Sequence, residues 1–146
     1  MSSGSMADTY SRPALTHEAA LRVLRAGIEK AESMGTPQCI AVVDPAGHLL
    51  AFVRMDGAKF LSIRTARRKA MTAANRRTAT GGIEPAHAIE LALVSGGNVT
   101  NLKGGLPIEV DGHVVGAVGV SSGSGQQDLE VAQAGLAAVP GARLEW

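Results

Sequence analysis

The stretch "VVDPAGHLLAFVRMDGAKFLSIRTARRKAMTAANRRTAT", residues 42–80, decides the fold. It opens in an apolar strand, turns at Pro45-Ala46-Gly47, and returns through "HLLAFVRM" as a second strand. Two short apolar runs around such a turn read as an antiparallel hairpin. "RMDGA" then leads into a helix expected to start after Gly57 and reach about Arg77. Phe60, Ile63, Ala66, Ala70, Ala73 and Ala74 recur at helical spacing and are expected on its inner face. A face made mostly of alanine lets a helix come close to whatever it packs on. The same segment carries seven basic residues between Lys59 and Arg77 and no acidic one.

Outward from this stretch the elements alternate in groups. Upstream, "LTHEAALRVLRAGIEKAESMG" predicts a helix capped by Thr16, with Glu18 in its positive first turn and Gly35 ending it. Downstream, "EPAHAIELALV" predicts a shorter helix with Pro85 near its start. "LPIEV" and "HVVGAVGV" are strands joined by Asp111-Gly112, a two-residue hairpin signal. "QQDLEVAQAGLAAV" is a last helix, stopped at Pro140-Gly141. Paired hairpins and grouped helices predict an α+β sandwich with a central antiparallel sheet of four or five strands.

Composition bounds the function. The chain has 146 residues, 14 basic and 13 acidic, for a net charge of +1, so global charge selects no partner. Nucleic acid is excluded on pattern: there is no helix-turn-helix spacing, zinc-finger motif or aromatic platform. No apolar run reaches the ~18 residues of a membrane span. No signal peptide stands at the start, so the expected location is the cytoplasm, with a signal peptide replaced by an engineered N-terminus as the alternative. The opening "MSSGSMADTY", residues 1–10, reads as a cloning scar joined to a native start near Met6. The single cysteine, Cys39, lies in an apolar run and reads as a buried, inert thiol. A chain with 45% apolar residues and alanine-rich helix faces is also expected to self-associate into a dimer or larger homo-oligomer.

Several residues are candidates for chemistry. Arg64 and Arg68 share one helix face with Arg67 beside them; Lys69 is adjacent. Their alternatives are a solvated face or a local site for a carboxylate or phosphate, which arginine forks suit well. "RMDGA" adds Arg54 and Asp56, where Asp56 either caps the helix or forms an acid/base pair with Lys69. "GGLP", Gly104 to Pro107, admits close backbone approach, either to a packed neighbour or to a ligand. "GVSSGSGQQD" lacks the P-loop spacing and reads as a strand-to-helix turn, with Ser124 as cap and Asp128 answering the helix dipole. The histidines His17, His48, His87 and His113 form no paired metal spacing, and the absence of CxxCH excludes c-type haem attachment, which leaves each of them as a candidate axial ligand to a non-covalent haem or as an ordinary surface residue.

These pieces resemble the GlcG/HbpS-like family across Leu15 to Leu136. The matching segments are "LTHEAA", "IAVVDPAGHLLAFVRMDGA", "KAMTAA", "GGLPIEVDGHVVGAVGVSSG" and "QDLEVAQAGL", in that order. The family includes haem-binding proteins and the C-terminal domain of PduO-type cobalamin adenosyltransferases. The resemblance implies residues 11–146 as a single domain, a profilin-like fold, homo-oligomers and, in some members, bound haem. It assigns no iron ligand here, and the basic helix around "KAMTAA" is richer in arginine than the family pattern implies. The expected function is therefore a binding protein for haem or a similar small anionic, carboxylated ligand, with no other cofactor. Its expected site comprises Arg54, Asp56, Arg64, Arg68, Lys69, Thr72, Gly104, Gly105 and Pro107. The alternative is a cofactor-independent enzyme on a small carboxylated acid, with Lys69 or Asp56 moving the proton.

Overall fold

In a computed structural model, residues 7–146 are described; the first part of the expected scar, residues 1–6, lies outside them. The elements are α1 (His17–Met34), β1 (Cys39–Val43), β2 (Leu49–Arg54), α2 (Leu61–Arg76), α3 (Pro85–Val94), β3 (Gly105–Val110), β4 (His113–Ser121) and α4 (Gly125–Leu136). The strands form one antiparallel sheet of four in the order β2-β1-β4-β3. Among the described residues no helix is long and apolar enough to cross a membrane.

Local signals set most of the ends. Thr16 accepts a hydrogen bond from the Ala19 amide, and Gly35 closes α1 in the left-handed conformation. Asp111 and Gly112 both take positive φ, 52° and 80°, as a tight two-residue hairpin requires. The first hairpin is held by Asp44, whose Oδ1 accepts from the amides of Ala46 and His48. Burial alone pushes the Asp44 carboxyl upward, but these two N–H donors and His48 outweigh it and hold the group below its ordinary value. Ser124 caps α4 in a reciprocal box with Gln127.

Alternation along β1 divides the core in two. Ile40 and Val42 join Val118, Val120, Leu106 and Ile108 under α1 and α4. Cys39, Ala41 and Val43 join Ala117 on the other face, under Ala66, Ala70, Ala73 and Ala74 of α2. This gives three layers: α1 and α4, the sheet, and α2. The α2 side is built almost wholly from small residues, so the helix backbone rests directly on the strands. A Cβ added at Gly119 would run into the Ala66 carbonyl and the Ala70 amide. One added at Gly105 would run into the Lys69 carbonyl. Cys39 is fully buried here. Burial raises its thiol pKa, more than the neighbouring Arg54 lowers it, as expected of an inert thiol.

Three expectations are corrected at α2. The helix starts at Leu61 and not directly after Gly57, because Asp56 and Gly57 form a turn and Ala58 and Lys59 are irregular. Phe60 therefore falls off the inner stripe and is 77% exposed. Asp56 does not cap the helix, whose N-cap position is Phe60 without a side-chain bond.

The backbone contact yields a direct test. Gly119→Ala must push α2 off the sheet and is expected to destabilise the fold by about 1–3 kcal/mol, the usual range of overpacking. Gly82→Ala, with nothing within 4 Å of its added Cβ, is the control and should change stability by less than about 0.5 kcal/mol. Urea denaturation of both variants measures the difference.

Candidate functional site

The close seat of α2 decides where its charges go. Arg64, Arg67 and Arg68 point away from the sheet and line an open cleft of about 430 Å³ with Phe60, Ile63, Met71 and Asn98. Spacings of three and four residues put the arginines on one face, and Phe60, Ile63 and Met71 supply an apolar wall. Among the described residues, none of the three arginines has a carboxylate within salt-bridge distance. The Arg68 guanidinium lies against Gly97, where a Cβ would stand 3.6 Å from it. Arg54 does not line the cleft but stacks on one of its walls, its guanidinium carbon 4.8 Å from the centroid of the Phe60 ring. The result is a concave surface with cations and an apolar wall, suited to a ligand that has both carboxylates and an apolar body.

Lys69 goes elsewhere. It is 3% exposed, and its Nζ donates to the Val120 carbonyl at 2.8 Å and to Asp128 Oδ2 at 2.9 Å. Asp128 Oδ1 accepts in turn from the Gly123 amide. The lysine passes close by Gly104, where a Cβ would lie 3.1 Å from Nζ. This links α2 on one side of the sheet to the first turn of α4 on the other. Lys69 is thus brought together with Asp128 and Gly104, and not with Arg64 and Arg68 in the cleft.

The remaining expected residues separate likewise. Thr72 is buried; its hydroxyl donates to the Asn98 carbonyl and accepts from the Thr100 amide, which fastens the segment before β3. Gly104, Gly105 and Pro107 are buried in and beside β3, and at both glycines an added Cβ would strike packed neighbours. Asp56 lies with Arg54 on a second cavity of about 550 Å³, between the end of α1 and β2. That cavity is larger, but it sets Glu32 and Asp56 against a single arginine, which is poor chemistry for an anion. Asp56 does not meet Lys69, so the geometry offers no acid/base pair between them. His17, His48, His87 and His113 are all exposed, and none lines the arginine cleft. Among the described residues there is no cluster of three or more His, Cys, Asp or Glu fit to hold a metal ion.

Sequence reasoning missed two things here. Asp128 was read as a helix-dipole residue, although an acid in the first turn of a helix is also where a buried cation can be met. Phe60 reads in sequence as an inner-face residue and Met71 carries no reading at all, so neither is recognised as cleft wall; the spacing Phe60, Ile63, Arg64, Arg67, Met71 was the signal available.

The buried pair can be tested by removing one partner. Lys69→Met leaves the Asp128 carboxylate buried without its cation, and Asp128→Leu leaves the ammonium so. Each is expected to cost roughly 3–5 kcal/mol, with the double variant recovering much of the loss. Thermal and chemical denaturation of the cycle check this.

Comparisons with known proteins bear on the whole domain. Residues 15–137 match the family model described as haem degrading protein HbpS-like. Protein GlcG of Escherichia coli K12 is 40% identical over 108 residues, covering 73% of this chain and 81% of GlcG. A crystal structure of a PduOC:haem complex superposes with a TM-score of 0.83 at 30% identity, over 91% of this chain and 99% of that one. A double mutant of HbpS from Streptomyces reticuli gives 0.82 at 33% identity, over 95% and 96% of the two chains. With its α+β architecture and a family match over most of its length, the chain belongs to the HbpS-like family.

Proposed function

We propose that this protein binds haem or a similar flat, carboxylated molecule in the cleft on α2, and that it works as a homo-oligomer. The observation that carries the reading is the set of three arginines beside Phe60, Ile63 and Met71 that have no carboxylate partner among the described residues. A porphyrin needs an apolar surface for its ring and cations for its propionates, and the cleft has both. The haem complex of the related PduO domain supports the ligand class. When bound, haem would supply an iron centre. Arg64 and Arg68 would hold its carboxylates, Phe60 and Ile63 would shield its ring from water, and the Met71 thioether is the cleft side chain able to ligate iron.

Haemin titration should give a saturable, shifted Soret band with a fixed stoichiometry per chain. Arg64→Glu and Arg68→Glu should each weaken binding about tenfold or more, the worth of a charge-assisted hydrogen bond of 1.5–3 kcal/mol. Arg25→Glu on the exposed side of α1 is the control and should bind as the parent does. A titration no different from that of an unrelated protein overturns the reading. Unchanged affinity in both cleft variants moves the site away from α2.

A further inference from the structure

The segment between Thr80 and Gly105 leaves the domain as an arm. Its base is fastened: the Asn101 side chain accepts from the Ile83 amide and donates to the Ile83 carbonyl, both at 2.8 Å. Thr80 donates to the Leu102 carbonyl and accepts from the Gly105 amide. Beyond this clasp the arm carries α3, which has no buried residue although its composition is strongly apolar. Ile89, Leu93 and Val94 are 64%, 77% and 82% exposed. Glu90 lies three and four residues before Leu93 and Val94, so a carboxylate sits on the same face as the apolar pair. From Gly81 to Leu102 the arm has two acids, Glu84 and Glu90, and no lysine or arginine.

The cleft on α2 has the opposite character. It presents Arg64, Arg67 and Arg68 around Phe60, Ile63 and Met71. One molecule therefore carries an apolar, acidic helix and an apolar, basic cleft, and leaves both open. We propose that α3 docks over the α2 cleft of a second copy of this chain, and that the partner's arm completes the ligand site. The arm springs from the rim of the cleft, where Asn98 lines it and Gly97 meets Arg68. A two-fold axis beside that rim brings each arm over the other copy's cleft, so both contacts form at once and the assembly closes. Reciprocity also doubles the contact, so that two ten-residue helices contribute toward the roughly 800 Å² per partner that a stable pair buries. In the pair, Glu90 of the partner subunit meets exposed Arg67, which leaves Arg64 and Arg68 for ligand carboxylates. The partner subunit's Leu93 and Val94 roof the apolar wall.

This inference rests on the ligand reading for the site but is tested without ligand. Light scattering of the ligand-free full chain at micromolar concentration should show a dimer or an even multiple. Leu93→Glu should raise the dissociation constant about tenfold or more, while circular dichroism confirms the fold. Glu90→Arg and Arg67→Glu should each weaken assembly likewise, and the two changes together should restore it to within about threefold. A monomeric parent, an oligomer indifferent to Leu93→Glu, or a charge swap that fails to restore assembly overturns the proposal. Haemin titration of the parent reads the other question separately. Haem binding by a monomer leaves the ligand reading standing and removes this one. A dimer that obeys the charge swap and ignores haemin does the reverse.

Discussion

The backbone of α2 rests on the sheet with almost no side chains between them, and the rest of the molecule follows from that contact. Ala66, Ala70 and Ala73 face Ala41, Ala117 and Gly119. Small residues gain little from hydrophobic transfer, roughly 25 cal/mol per Å² of the modest area they bury. They gain instead from dispersion across a close interface and from giving up no side-chain entropy. Such a seat has no room for a long side chain on the inner stripe. The charged residues of α2 must therefore leave by the flank or the outer face. Arg64, Arg67 and Arg68 leave outward and make the cleft, whereas Lys69 leaves by the flank and reaches β4.

The route of Lys69 gives the layers their mutual register. A buried ion pair adds little net stability compared with apolar residues in the same space, because each ion loses its hydration. What Lys69 and Asp128 add is position. The ammonium needs the Val120 carbonyl as well as the carboxylate, and the carboxylate needs the Gly123 amide. A shift of α2 along the sheet or of α4 against β4 would leave one of these groups buried and unpaired. Gly104 belongs to the same arrangement, since a side chain there would collide with Asp128 and the Val120 carbonyl.

What could be read from sequence divides along a physical line. The hairpin at Asp111-Gly112, the Thr16 and Ser124 caps and the Gly35 terminator were legible because their chemistry acts within a few residues. Pairing of Lys69 with Asp128 was not, because the partners are 59 residues apart and only the folded sheet brings them together. Phe60 fits the apolar period of α2, yet the turn before Leu61 takes it out of the helix and leaves it exposed. The apolar α3 looks like any core helix in sequence, and nothing local says that no core lies beneath it. Within the candidate site, Arg64 and Arg68 were visible as a same-face pair. Their apolar neighbours and their separation from Lys69 depended on the angle at which α2 meets the sheet.

The openness of the cleft matters as much as its residues. A guanidinium in water gains at most about 1 kcal/mol from a carboxylate, since solvent screens the pair and both side chains lose freedom. The same contact grows severalfold where water is excluded. On one isolated chain, Arg64 and Arg67 are exposed and Arg68 only half-buried, so their fields are largely spent on solvent. The apolar wall of Phe60, Ile63 and Met71 can dehydrate a ligand from one side only. A second apolar surface on the open side removes water from both, and strengthens the arginine contacts without adding a charge. In the docking we propose, the apolar helix left unburied on the rim of that cleft would be this second wall, closing over cations that are weak while the cleft stays open.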